Sequence, residues 1–92
     1  MDKEAKRIER YFKGVSNHWR IAILWEIAKN PSITVNGISE NLKANFKTIS
    51  EHIRRLKLSG LINKKYRGKT VAHTLSPYGK KFLKFTKSFL DS

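Results

Sequence analysis

The sequence predicts a mainly α domain of about five helices that carries a small β-hairpin of two or three strands. Apolar residues recur at helical spacing in successive segments, each bounded by a capping side chain, a glycine or a proline. Two β-prone runs, Leu61 to Tyr66 and Thr70 to Leu75, flank Arg67-Gly68-Lys69, a glycine-containing connection that suits a hairpin. With 92 residues and no cysteine, packing alone must hold one modest core, so residues 1–92 are expected to form a single domain.

Between Asp2 and Lys13, the residues Ile8, Tyr11, Phe12 and Val15 fall at i, i+3, i+4 and i+7, the period of an amphipathic helix. Gly14 is expected to stop it. Ser16 or Asn17 then caps a second helix. In that helix Trp19, Ile21, Ala22, Ile23, Leu24, Trp25, Ile27 and Ala28 are apolar around most of the circumference, which predicts a central, buried position. Asn30-Pro31-Ser32 breaks it, because proline disfavours the helical conformation in the residue before it. A short extended piece, Ile33 to Val35, is expected next. Thr34 caps a third helix with Ile38 and Leu42 facing inward, although Gly37 weakens it by about 1 kcal/mol relative to alanine.

Asn45 has the side chain to cap the following helix and Gly60 the freedom to end it in a left-handed turn, giving a span from Phe46 to Ser59. Ile49, Ile53 and Leu56 form its inner stripe. At 100° per residue, Lys47, Glu51, Arg54 and Leu58 point the opposite way, with Thr48, Ser50 and Arg55 along the flanks. After the hairpin, Ser76-Pro77 opens the last helix with a capping side chain and a proline at its first position. Tyr78, Phe82, Phe85 and Phe89 recur there at spacings of four, three and four, with Leu83 and Leu90 beside them. This stripe and the first one offer more apolar face than one small core needs. Either the first and last helices, about residues 2–13 and 77–90, close the monomer core with these stripes, or they serve dimerisation through Ile8, Tyr11, Phe12, Val15, Phe82, Phe85 and Phe89.

Charge identifies the partner class. The chain carries 20 basic and 7 acidic residues, a formal charge of +13, which favours a polyanion. Residues 1–30 have a net charge of +3, whereas residues 43–81 hold 11 cations and only Glu51 as an anion. Two helices joined by the short turn Lys43-Ala44-Asn45, the second with polar tips, suit the DNA major groove, which admits one helix. Lys47, Thr48, Ser50, Glu51 and Arg54 are the candidate base readers. Arginine pairs bidentately with guanine, glutamate accepts from cytosine, and hydroxyls serve either. Lys43, Arg55 and Lys57 suit phosphates, and Lys64, Lys65, Arg67 and Lys69 suit the backbone or the minor groove.

Other chemistries find little to build on. Without cysteine there is no thiolate metal site, and His18, His52 and His73 lack ligand partners at helical spacing apart from Glu51 beside His52; a packing or hydrogen-bonding role is expected for each histidine, with no metal and no cofactor. Ser16 and Ser50 lie near histidines without a convincing third member, and no glycine-rich phosphate loop appears, so no enzyme is expected. No apolar run approaches the ~20 residues that span a bilayer. The chain begins Met-Asp-Lys-Glu, unlike a signal peptide, so a cytoplasmic protein without a membrane partner is expected.

Successive blocks carry a family resemblance: Asn17-His18-Trp19-Arg20-Ile21-Ala22-Ile23-Leu24, Ile38-Ser39-Glu40-Asn41-Leu42, Thr48-Ile49-Ser50-Glu51-His52-Ile53, Leu56-Lys57-Leu58-Ser59-Gly60-Leu61-Ile62 and Thr74-Leu75-Ser76-Pro77-Tyr78-Gly79. In order and spacing, over about residues 15–83, the chain resembles small winged helix-turn-helix transcriptional regulators of the ArsR type. MarR-like and other winged regulators share the Gly-Leu-Ile and Leu-Ser-Pro-x-Gly blocks. The resemblance implies a homodimer that binds double-stranded DNA at a pseudo-palindromic operator and usually represses transcription. Metal sensing does not carry over, because the cysteine pair of the metal-sensing members would fall around Glu40 to Leu42, where no cysteine stands. An effector, if one exists, is not encoded in a recognisable motif. Two alternatives remain open at this level: charge-driven, non-specific DNA or RNA binding by an architectural protein, and a winged helix that docks a protein partner.

Overall fold

The computed structural model describes residues 2–91. Five helices and one hairpin follow in the order α1 (Lys3–Val15), α2 (His18–Lys29), α3 (Val35–Leu42), α4 (Phe46–Leu58), β1 (Ile62–Arg67), β2 (Thr70–Leu75) and α5 (Pro77–Leu90). Four of the five helix starts use the capping residue expected from the sequence. Asn17 Oδ1 accepts from the Trp19 amide at 2.8 Å, Asn45 Oδ1 from the Lys47 amide at 2.8 Å, Thr34 Oγ1 from the Gly37 amide at 3.1 Å, and Ser76 Oγ from the Gly79 amide at 3.1 Å. Each satisfies an amide that the first helical turn leaves unpaired. Asp2 caps α1 in the same way, through the Glu4 amide.

Three local expectations change. Gly14 does not stop α1, which runs on to Val15 and ends at Ser16. Gly14 is a contact point instead: a Cβ there would meet the Ser59 side chain at 2.6 Å, so its bare backbone lets α1 approach the end of α4. The extended piece before α3 shrinks to a single bridge between Ile33 and His73. Thr34 takes up the cap geometry and Val35 is already helical, which leaves no length for a strand. The third change is at Leu61, which lies outside β1. Its amide closes the end of α4 and its carbonyl accepts from the Ser76 amide at 3.1 Å, so the ladder starts at Ile62.

Gly60 ends α4 as expected, at φ +81°. Its amide bonds to the Lys57 carbonyl and the Leu61 amide to the Leu56 carbonyl, each at 3.0 Å, the paired arrangement of a Schellman stop. The hairpin is antiparallel, in register from Ile62 opposite Leu75 to Arg67 opposite Thr70. Its loop is therefore two residues, Gly68-Lys69, with Gly68 at φ +60°, the positive value a type II′ turn needs at its first position.

The core gathers Tyr11 from α1; Ile23, Leu24 and Ile27 from α2; Ile38 from α3; Ile49, Ile53 and Leu56 from α4; and Leu61 with Ile62 at the entry to the hairpin. Each fully buried aliphatic side chain contributes about 1.5–3 kcal/mol. α2 is central, but only on one side. Ile23, Leu24 and Ile27 are buried, while both tryptophans are only partly covered, and Trp25 Nε1 donates to Thr86 Oγ1 of α5 at 3.2 Å.

His73 ties the hairpin to the segment before α3. Its backbone amide donates to the Ile33 carbonyl at 3.1 Å, and its carbonyl accepts from the Ser32 amide at 3.0 Å. The ring Nδ1 lies 2.8 Å from the same Ile33 carbonyl. A carbonyl only accepts, so Nδ1 carries the proton and Nε2 is the bare nitrogen. Among the described residues that buried atom has no partner, so charging the ring would place a second N–H where none of them offers an acceptor. Burial lowers the His73 pKa from its ordinary 6.5, the Ile33 hydrogen bond opposes the shift, and Lys64 adds to it. Because the folded state holds this proton less tightly than the unfolded chain, His73 contributes stability that is complete above pH 6.5 and is lost as the pH falls below it. Urea unfolding should therefore show a lower midpoint at pH 5 than at pH 7.5, and His73→Gln should reduce that difference. An undiminished difference in the variant would assign the pH dependence elsewhere.

Candidate nucleic-acid interface

The turn between α3 and α4 is built from the backbone outward. Lys43 closes α3 in the left-handed conformation at φ 52°, unusual for a residue with a side chain. Two bonds hold it there: the Ala44 amide donates to the Ser39 carbonyl at 3.0 Å, and Ser39 Oγ donates back to the Ala44 carbonyl. Asn45 then starts α4 at once. Lys43 is thus both an exposed cation and the pivot that sets the crossing of the two helices.

α4 divides as its periodicity implies. Ile49, Ile53 and Leu56 are buried, whereas Lys47, Thr48, Glu51, Arg54, Arg55, Lys57 and Leu58 are exposed and Ser50 is partly covered. The polar face is organised around its one carboxylate. Arg54 grips Glu51 bidentately, Nε to Oε2 at 3.0 Å and Nη2 to Oε1 at 2.7 Å, and Arg55 Nε reaches Oε1 at 3.3 Å. Those hydrogen bonds, Arg54's foremost, hold the Glu51 carboxyl down at about 2, and the same pair raises Arg54. Glu51 is therefore an anion at any physiological pH. The spacings are i, i+3 and i, i+4, the neighbouring positions of a helix, so this clamp was present in the sequence, although Glu51 and Arg54 were assigned to bases and Arg55 to phosphates, each separately.

The wing brings together only part of the cation set assigned to it. Opposed residues of an antiparallel pair share a face, so the register puts Lys65 and Arg67 with Asn63, Thr70 and Thr74 on one face. Lys64 lies on the other, opposite His73, and is partly covered. Lys69 sits in the exposed turn. Tyr66, 74% exposed, shares the Lys64 face and presents an aromatic ring that composition alone did not single out.

A second contact was missed in the sequence. Arg20, on the buried side of α2 at i to Ile23, Leu24 and Ile27, sends Nη1 to within 3.2 Å of His52 Nδ1 on α4. Arginine only donates, so His52 accepts at Nδ1 and keeps its proton on Nε2. Burial, then Arg20 and Arg55, lower the His52 pKa. A polar residue in register with an apolar stripe was the available signal.

The apolar faces of α1 and α5 meet in a T-shaped cluster: Phe12 with Phe82 at 5.2 Å, Phe12 with Phe85 at 6.5 Å, and Phe85 with Phe89 at 4.8 Å between ring centroids. Tyr11 belongs to the protomer's own core, stacked on Tyr78 at 4.5 Å, and Val15 and Phe82 pack against that core. Ile8, Phe12, Phe85 and Phe89 stay 46–65% exposed, and the first three line, with Tyr78 and Phe82, an open groove of about 380 Å³. Among the described residues no group of three or more metal-ligating side chains gathers, and no helix is long and apolar enough to cross a membrane.

Comparison with known proteins agrees with this geometry. HlyU from Vibrio cholerae N16961 superposes with a TM-score of 0.87 at 25% identity, covering 100% of both chains. HlyU from Vibrio vulnificus CMCP6, described as a transcriptional regulator, gives 0.79 at 23% identity over 95% of this chain and 91% of its own. A fragment of Mb0332 from Mycobacterium bovis, described as a homodimeric winged helix-turn-helix DNA-binding domain of a possible ArsR-family regulator, gives 0.84 at 21% identity over 99% and 87%. These likenesses support the winged helix-turn-helix fold. A search of the curated proteins found no match. The sequence profile described as winged helix-turn-helix DNA-binding matches residues 17–63, just over half of the chain, from the cap of α2 into β1. The protein belongs to the winged helix-turn-helix DNA-binding family.

Proposed function

We propose that the chain is a homodimeric, sequence-specific transcriptional repressor that acts in the compartment holding the DNA. Two copies join through α1 and α5, and each lays α4 in one of two successive major grooves of a pseudo-palindromic operator. The observation that carries this reading is a helix with an exposed polar face held rigidly from beneath, combined in one small chain with a separate, solvent-exposed aromatic face on α1 and α5. The first face suits base edges and the second suits a second copy. Exposed apolar surface of this kind on a small domain is a mark of an interaction site.

Within that arrangement Lys47, Thr48, Ser50, Glu51 and Arg54 read bases. Glu51 holds Arg54 as a preformed fork, which limits the rotamer entropy lost on pairing with guanine. It also offsets cation charge on the reading face, which favours discrimination over indiscriminate attraction to phosphate. Lys43, Arg55 and Lys57 hold backbone phosphates, and Lys65, Arg67 and Lys69 clamp the flanking backbone or minor groove, with Lys64 on the hairpin's other face contributing less.

Fluorescence anisotropy on selected and random duplexes tests this division of labour. Arg54→Ala should relax base preference by about 1–3 kcal/mol, whereas Lys69→Ala should weaken binding to every sequence and lower the salt slope by about one unit per half-site. Equal losses on both duplexes from both changes would contradict it. For the dimer, sedimentation should find two copies in the native protein and one in Phe85→Lys, with the helical spectrum preserved. A native monomer at concentrations that bind DNA would refute the α1 and α5 interface.

A further inference from the structure

Arg20 makes three side-chain hydrogen bonds, and among the described residues it has no carboxylate partner. Nε donates to the Gly14 carbonyl at 2.8 Å, Nη1 to His52 Nδ1 at 3.2 Å, and Nη2 to the Lys13 carbonyl at 3.5 Å. All three acceptors are neutral. The ion pairs elsewhere join Glu9 to Lys13, Glu26 to Lys29, and Glu51 to Arg54 and Arg55. Partly buried charges are normally paired, because withdrawing them from water is costly. A guanidinium has five N–H groups, so two remain beyond those three bonds.

Arg20 lines an open cleft of about 250 Å³ where the end of α1, the start of α2 and the end of α4 meet. Arg10, Lys13 and Arg55 line the same cleft, and Ser59 adds a hydroxyl. Among the described residues no carboxylate lines it. Lys13 and Arg55 touch acids only from exposed positions, at 3.7 and 3.3 Å. Burial, and after it the nearness of Arg55, lower the Arg20 pKa, the response of a cation partly withdrawn from water beside another cation.

We propose that this cleft, formed by Arg10, Lys13, Arg20 and Arg55 with Ser59, is a binding site for a phosphate group. Four cations and a hydroxyl around a small volume suit an anion with several acceptor oxygens, and a guanidinium fixed by its backbone bonds offers planar recognition without losing further rotamer freedom. Arg55 stands on the flank of α4, beside the reading face. The phosphate therefore comes either from the backbone of bound DNA or from a free phosphorylated molecule. The site needs neither a dimer nor a base-specific contact, so it stands or falls apart from the operator reading.

Titration of the ¹⁵N-labelled full chain with sodium phosphate, against sodium chloride at matched ionic strength, tests it. Saturable shifts are expected at the Gly14 and Ser59 amides and at Arg20 Nε. Arg10→Ala/Lys13→Ala, both exposed positions, should weaken binding at least tenfold, and Lys84→Ala on α5 should leave it unchanged. Shifts that grow without saturating, spread equally to the α5 lysines or persist undiminished in the double variant would overturn the site. The source is decided by DNA. Competition by phosphate, with a salt slope lowered by about one unit per protomer in the double variant, identifies the DNA backbone; unchanged DNA affinity with phosphate still bound identifies a free phosphorylated ligand.

Discussion

The aliphatic seam between α2 and α4 is the constraint on which the other features depend. Ile23, Leu24 and Ile27 on one helix and Ile49, Ile53 and Leu56 on the other are nearly or fully inaccessible to solvent. Interiors of this kind pack like organic crystals, so a change of one methylene is felt. The seam fixes the rotation of α4 about its own axis, and rotation determines which side chains face outward. A slip of one residue would turn the helix by 100° and carry Glu51 and Arg54 off the exposed face. Asn45 and Gly60 fix its two ends, so the helix is defined in rotation and in length.

Around that seam the polar contacts are arranged to keep charge available yet directed. The Glu51 clamp preorganises two arginines, and the Arg20 to His52 bond braces the flank of α4 against α2. Gly14 lets α1 come close enough to Ser59 for its end to join the same corner. Cations thus stand on both sides of α4, Arg54 and Arg55 with Glu51 as their counter-ion and Arg20 beneath the α1 corner without one among the described residues. On the reading proposed above, this difference separates a surface that would discriminate among bases from a cleft that would take a phosphate.

Much of the fold was legible in the sequence because short-range chemistry decides it. Asn17, Thr34, Asn45 and Ser76 act within three residues of themselves, and Gly60 and Gly68 are needed by their own turns. The failures share one cause, which is contact at long range. Gly14 looked like a helix stop and is a helix crossing, decided by Ser59 on another element. Tyr11 lies in an apolar stripe assigned to dimerisation, yet its ring stacks on Tyr78 of α5. Leu61 has the composition of a strand, but its carbonyl is taken by the Ser76 amide of another element. For the candidate site, periodicity separated the outer face of α4 from its inner one, and alternation along β1 could have separated Lys64 from Lys65 and Arg67. The Arg20 corner needed three helices to be placed together, which no local pattern supplies.

The central claim is that two α4 helices, held by one dimer, read bases in successive grooves. Repeated selection of bound duplexes from a random pool, at physiological salt and with the native chain, addresses it most directly. The expected result is a pseudo-palindromic consensus with half-sites centred about one helical turn, or roughly 10 base pairs, apart. Enrichment without a consensus, or a consensus confined to a single half-site, would contradict it.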